Sequence, residues 1–361
     1  MTRLRSLSLG ACVSAILLSV AACAPAVITP DSTTVTLEPR EARVPAPSPP
    51  EDPRPSVIWP LAGTDASELS AAELNRPAIA VKIENSSDAR PQTNLYRADV
   101  VYEQYVEYGI SRLVAVYHSD YPEELGPIRS MRPMDQHIAG PYEGPLVFSG
   151  AQRRFINAAA ASGQDLVAQD IGSYGFFRTN TKPAPHNLFG RMADFEEQAD
   201  NSAPPDVQWD FAYPSEFATA QRDGEEISTL DIRMSARAQP SWQWDDEDGV
   251  WLRTDTGAPH VDTNGTQISA TNIVMLWVDV RYTSRSGGSS VPETLLTDRS
   301  GTGYVTSGNG IIEVEWSKGD RTDPIEITTT DGVPVQLMPG QTWVELVPQS
   351  GVADSTSIDF E

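Results

Sequence analysis

Apolar and polar positions along the chain fall into three textures. Leu7 to Ala22 is an uncharged, mainly apolar stretch behind Arg3 and Arg5, and small residues lead from it into Cys23. Residues 24–56 hold nine prolines and almost no large apolar side chain. From Ile58 onward apolar runs of strand length recur: Ala78–Ile83 (AIAVKI), Leu113–Tyr117 (LVAVY) and Leu146–Phe148. Asp65 to Glu68 has the look of a capping box opening a helix through Leu74, and Ala151–Ala161 reads as a helix with Gly163 past its end. Strands alternating with helical stretches predict an α/β domain over residues 57–227.

The pattern changes after that. Asp248-Gly249, Asn264-Gly265, Asn309-Gly310 and Asp331-Gly332 are hairpin-type dipeptides, because each tolerates the positive φ such turns require. Between them Ile273–Val278 reads as a buried strand. Ile312, Val314 and Trp316 alternate with polar residues, as in a strand with one wet face. Residues 228–348 therefore predict a mainly antiparallel β domain. Ser284–Pro292 reads as a loop inside it, and 349–361 as a frayed tail. No internal repeat is visible. Trp242, Trp244 and Trp251 at strand spacing point to cross-strand packing.

The first texture is that of a secretory signal peptide over residues 1–22. Val20-Ala21-Ala22-Cys23 resembles the bacterial lipobox, which implies lipidation at Cys23 and a membrane-anchored protein on the outer face of the cytoplasmic membrane. Two acyl chains at one residue suffice for stable anchoring. The proline-rich stretch 23–56 cannot bury enough surface to offset its ordering entropy, so it reads as an extended tether.

Charge narrows the partners. The 361 residues carry 26 Lys+Arg against 50 Asp+Glu, a formal charge of −24. Such a chain does not bind nucleic acid by neutralising phosphates, nor an anionic membrane by a polybasic patch. Two cysteines exclude a disulfide scaffold. His118 and His137 lack partners at ligand spacing, and His260-x-Asp262 supplies two ligands where a metal site needs more. No phosphate-loop, zincin or serine-nucleophile motif is present, so no metal or cofactor is expected.

The densest polar stretch runs from Glu84 to Arg132. Val100–Val106 and Ser111–Tyr117 predict a hairpin about Tyr108-Gly109. If Tyr105 faces Arg112, then Glu103, Tyr105, Glu107 and Arg112 share one face. Glu103 and Glu107 stand ~13 Å apart along a strand, too far for a glycosidase pair. Gly126–Pro133 (GPIRSMRP) places Arg129 and Arg132 in a Gly/Pro-punctuated loop, and Arg90-Pro91 lies in another. Guanidinium forks suit carboxylates and phosphates, and loops at strand ends are favoured ligand positions. Arg90, Arg112, Arg129, Arg132 and His186 thus predict an anion pocket, oriented by Asn85, Glu103 and Glu107. Its ligand would be an anionic cell-wall component or an envelope protein. Two alternatives stay open: a wall hydrolase with Glu103 or Glu107 as base and His186 as acid, or ion pairs that only hold the fold together.

At these residues the chain resembles the YerB-like lipoproteins of Gram-positive bacteria, a family defined by a two-part domain of unknown function. The resemblance spans about residues 76–348. It rests on RPAIAVKIEN (Arg76–Asn85), ARPQ (Ala89–Gln92), ADVVYE (Ala98–Glu103), GISR (Gly109–Arg112), GPIRSMRP and APHNL (Ala184–Leu188). GAPHVD (Gly257–Asp262), ATNIVM (Ala270–Met275) and PGQTW (Pro339–Trp343) extend it through the second part. It implies an extracytoplasmic, membrane-anchored protein and lends no activity or catalytic residue.

Overall fold

The apolar runs of both halves are spent on one mixed sheet. The computed structural model describes residues 53–199, 202–285, 288–349 and 355–361; the expected signal segment, Cys23 and most of the tether lie outside them. Twelve strands make the sheet. Along its main path they are ordered Glu225–Glu226, Gly310–Lys318, Arg299–Ser307, Asn272–Arg285, Thr342–Pro348, Val100–Tyr105, Ser111–Tyr117, Ile79–Glu84, Leu146–Phe148 and Leu166–Ala168. Gly288–Leu295 and Glu326–Thr329 pair off that path.

Thr342–Pro348 is the seam. It lies parallel to Val100–Tyr105 on one side and to Asn272–Arg285 on the other. The expected boundary near residue 228 therefore does not separate two cores. The α/β expectation for the first half is also revised. Its longest helix among the described residues, Arg153–Ala161, has nine residues; Val100–Tyr105 and Ser111–Tyr117 pair antiparallel because a short turn joins them, and Ile79–Glu84 also runs antiparallel to Ser111–Tyr117. Parallel pairing there is confined to Leu146–Phe148 and Leu166–Ala168.

Alternation sends side chains to two cores. One face buries Val100, Tyr102, Val114, Val274 and Val344 against Phe155 and Ile156 of the nine-residue helix and against Met131, Met134 and Ile138. The other buries Val81, Val101, Leu113, Ala115 and Trp343 against Leu230, Ile232, Trp242 and Trp251. Those last four come from a second, six-stranded sheet whose path runs Ala258–Pro259, Val250–Asp255, Pro240–Asp245, Thr229–Arg233 and Ser357–Phe360. Trp242 meets Trp343 edge-on across the layers, centroids 5.2 Å apart. Trp244 pairs with Trp251 across a hairpin, the packing role expected of these tryptophans.

Local departures have local causes. The capping box sits five residues later than expected: Ser70 and Glu73 cap Ala71–Leu74 reciprocally, while the Asp65 carboxylate accepts from the Ser67 N–H in a turn. The expected loop Ser284–Pro292 is mostly strand, since Gly288–Leu295 folds back on Asn272–Arg285 as a long hairpin. The expected frayed tail ends in Ser357–Phe360, an edge strand on Thr229–Arg233. Its Ile358 and Phe360 cover apolar surface of the second core.

Candidate functional site

Three strands end together at Glu84, Gln104 and Arg112, which are register partners in the row Gln104↔Arg112↔Glu84. Tyr105 therefore pairs with Ser111, not with Arg112. This one-residue slip from the expected register reverses a side chain's face. Arg112 shares a face with Lys82, Glu84 and Gln104, while Glu103 points to the opposite face with Ser111. A tight Glu107–Gly109 turn consumes the residues that the expected pairing would have used.

On the Arg112 face the Gly126–Pro133 segment closes over the strand ends. It docks through Ile128, bridged to Ile83, and through the Arg129 N–H donating to the Lys82 carbonyl at 2.8 Å. This places Arg129 Nε 3.4 Å from Glu84 Oε1, and Arg132 Nε donates to Glu107 Oε2 at 2.7 Å. His186 Nδ1 lies 3.1 Å from the other Glu84 oxygen. Beneath them Lys82 is fully buried and donates to Asp135 Oδ1 at 2.9 Å. Gln104 donates to the same oxygen, and the Arg132 N–H to Asp135 Oδ2 at 2.7 Å. Burial drives the Lys82 ammonium down to about 8 against the pull of Asp135.

Arg112 is the exception in this group. It is 7% exposed and donates through Nη1 to the Ser130 carbonyl at 3.0 Å. Its Nε has no partner. Among the described residues no carboxylate lies within 4.0 Å of its guanidinium, whereas Lys82, Arg129 and Arg132 each have one. Burial first, then the neighbouring Arg132, lowers Arg112 to about 10, with Glu107 opposing. Four cations (Lys82, Arg112, Arg129, Arg132) thus face three acids (Glu84, Glu107, Asp135).

The opposite face holds a different network. Glu103 accepts from Asn85 Nδ2 at 3.1 Å, from Ser111 and from Arg253. Arg253 Nη1 also donates to His260 Nδ1 at 2.6 Å. Because a guanidinium can only donate, His260 carries its proton on Nε2 and donates it to Gln92 Oε1 at 2.8 Å. Burial and the Arg253 charge hold this imidazole well below its ordinary range. Arg90 pairs with Asp255 at 3.0 Å in a recess of about 270 Å³ that Pro91, Pro259 and His260 also line.

The expected pocket is therefore divided. Arg112, Arg129, Arg132, Glu107 and His186 gather on one face. Asn85 and Glu103 serve the opposite face and do not orient those cations; Arg90 is held by Asp255 and donates through Nη2 to the Asn85 carbonyl at 3.3 Å. His186 contacts Glu84, so the acid–base pairing of His186 with Glu103 or Glu107 has no contact to stand on. Lys82, Glu84, Asp135, Gln92 and Arg253 were absent from the expected set. For Lys82, Glu84 and Arg253 the signal was a charge inside an apolar strand, as in IAVKIE and VWLRT; Asp135, in a short helix, and the uncharged Gln92 carried no such signal. Among the described residues no cluster of three or more His, Cys, Asp or Glu is arranged to hold a metal ion.

No described helix is long and apolar enough to cross a membrane. Residues 61–206 match the family model "Protein of unknown function (DUF3048) N-terminal domain", and residues 230–344 match the corresponding C-terminal domain. The chain is 23% identical over 288 residues to the putative lipoprotein YerB of Bacillus subtilis, covering 77% of this chain and 83% of that protein. The crystal structure of B. subtilis YerB superposes with a TM-score of 0.70 at 22% identity, over 84% of this chain and 99% of that one. With both halves of the family's domain matched in order along one chain, this protein belongs to the DUF3048 family, the family of the YerB lipoprotein.

Proposed function

We propose that this protein is a lipid-anchored, extracytoplasmic binding protein, held at Cys23 after loss of residues 1–22, that captures an anionic component of the cell envelope on the Arg112 face. The observation that carries this reading is Arg112, a buried guanidinium with no carboxylate partner beside two paired arginines. A buried charge without a counter-charge is costly, and removing one partner of a buried pair typically costs about 3–5 kcal/mol. An incoming carboxylate or phosphate would supply the missing negative charge. Arg129 and Arg132, 24% and 13% exposed, offer the reachable N–H groups, and Arg112 supplies the field beneath them. At an effective dielectric near 20, a unit charge 4 Å away interacts by about 4 kcal/mol, enough to organise a site.

Two wall chemistries share this recognition: the free carboxylates of muropeptides and the phosphodiesters of polyglycerol phosphate. Titration calorimetry of the full-length protein with each separates them. Arg112→Gln is expected to weaken binding of the preferred anion about tenfold or more, roughly the contribution of one charge-assisted hydrogen bond. Unchanged affinity in both Arg112→Gln and an Arg129→Ala/Arg132→Ala double variant would remove the pocket and leave these residues as ion pairs that hold the fold.

A further inference from the structure

One residue beyond Glu107, which holds Arg132, the hairpin tip presents an aromatic ring. Tyr108 is 81% exposed, and its backbone is left-handed at φ +66°, a conformation that bulky L-residues rarely adopt. It is nevertheless held there from the other half of the chain. Arg237 Nη1 donates to the Tyr108 carbonyl at 3.1 Å, and Ser235 Oγ donates to the Gly109 carbonyl at 2.5 Å. The residue immediately before it, Glu107, holds Arg132. A second exposed ring lies by the same hairpin: Tyr282, 45% exposed, shares a hydrogen bond of 3.2 Å with the Tyr105 hydroxyl. A single exposed aromatic is ordinary. A ring held in an unfavourable backbone state by two tertiary hydrogen bonds, one residue from the acid that holds Arg132, is placed for a ligand that also reaches the guanidinium groups.

We infer that the site reads a sugar ring together with an anion: Tyr108 is the stacking platform, and the ligand class is a glycan bearing a carboxylate. This inference rests on the anion-binding reading of Arg112, Arg129 and Arg132 and deepens it. The C–H face of a pyranose packs on an aromatic face, as apolar surface does on Tyr and Trp generally. The carboxylate then meets the guanidinium groups, which prefer planar oxyanions. Between two proteinaceous or polymeric anions of equal charge, the site selects the one with a ring within reach of the tip.

Three probes separate the contributions in titrations of the full-length protein: N-acetylmuramic acid, lactate and uncharged N-acetylglucosamine. The protein is expected to bind N-acetylmuramic acid about fivefold more tightly than lactate, the size of one aromatic contact, and N-acetylglucosamine more weakly than either acid. Tyr108→Ala should erase the preference for the sugar acid while leaving lactate affinity unchanged. Tyr108→Phe, which keeps the ring, should retain it. Arg112→Gln should weaken both acids. Equal affinity for the two acids, or a preference that survives Tyr108→Ala, overturns the sugar platform alone. Absence of binding by both acids overturns the carboxylate-bearing glycan, and the anion site falls with it if polyglycerol phosphate also fails to bind.

Discussion

Replacing Glu345 by glutamine tests the charge balance of the buried network at the seam. Glu345 is the cross-strand neighbour of Glu103 in the parallel pair of Val100–Tyr105 and Thr342–Pro348, and both side chains are fully buried. Arg253 donates to Glu103 and lies 3.4 Å from Asp255, which in turn pairs with Arg90. Two cations therefore already match two carboxylates, and ionised Glu345 would be a third negative charge. Burial, and next the neighbouring Glu103, raise its carboxyl well above the ordinary 4.5, with Arg253 opposing. Folded Glu345 thus keeps its proton.

The pH dependence follows from that proton. Above pH 4.5 the unfolded chain releases it while the native chain holds it, so the native state binds more protons. Stability then falls as pH rises, by about 1.4 kcal/mol per pH unit, until the folded-state pKa is reached. Glutamine has nearly the shape of the neutral acid and no proton to hold, so Glu345→Gln abolishes this slope. Urea unfolding of both proteins at pH 5, 6, 7 and 8 should give stabilities that nearly agree at pH 5 and diverge upward, the variant being the more stable. Parallel curves across that range would mean that Glu345 is ionised in the fold, and the charge count given above would be wrong.

His118 should act at the acid end. It is buried against Trp59, and burial lowers its imidazole to about 4. The unfolded chain therefore takes up a proton that the native chain refuses, and stability drops as pH falls from 6.5 toward 4 by about 3 kcal/mol. His118→Gln should show an acid loss smaller by that amount in the same urea assay; an equal loss would refute the assignment. Lys82→Met should cost about 3–5 kcal/mol by leaving Asp135 buried without its cation. Adding Asp135→Asn should recover most of that loss, and a double variant as unstable as the sum of its parts would show that the pair does not interact.

Much of the fold could be read from the pattern, and what escaped has identifiable causes. Strands such as Ile79–Glu84 and Ser111–Tyr117 were visible because β-branched runs end at turn residues. Their assembly into one sheet was not, because Thr342–Pro348 meets Val100–Tyr105 across more than 200 residues of sequence and nothing local encodes that pairing. Ser284–Pro292 looked like a loop because its glycines and serines carry no strand signal. Its described residues are strand because Gly288–Leu295 finds a ready partner in residues 279–285, the far end of the long strand Asn272–Arg285. Ser357–Phe360 is ordered for the same reason: the docking surface comes from elsewhere.

The site shows how a small error in register redistributes chemistry. With Tyr105 opposite Arg112, Glu103 would have neutralised the arginine and the hairpin would have been a plain salt-bridged surface. In the actual register Arg112 lies between Gln104, which donates to Asp135, and Glu84, whose two oxygens face Arg129 and His186, so that no described carboxylate comes within 4.0 Å of the Arg112 guanidinium. Glu103 instead joins Arg253 on the far side of the sheet. The sheet therefore keeps its charge-matched network between its two layers and its unmatched cation on the other face, beneath two partly exposed arginines. A purely structural set of ion pairs would minimise free energy by matching Arg112 as well. Its unmatched state next to solvent-accessible guanidinium groups is the observation on which the proposed anion site rests.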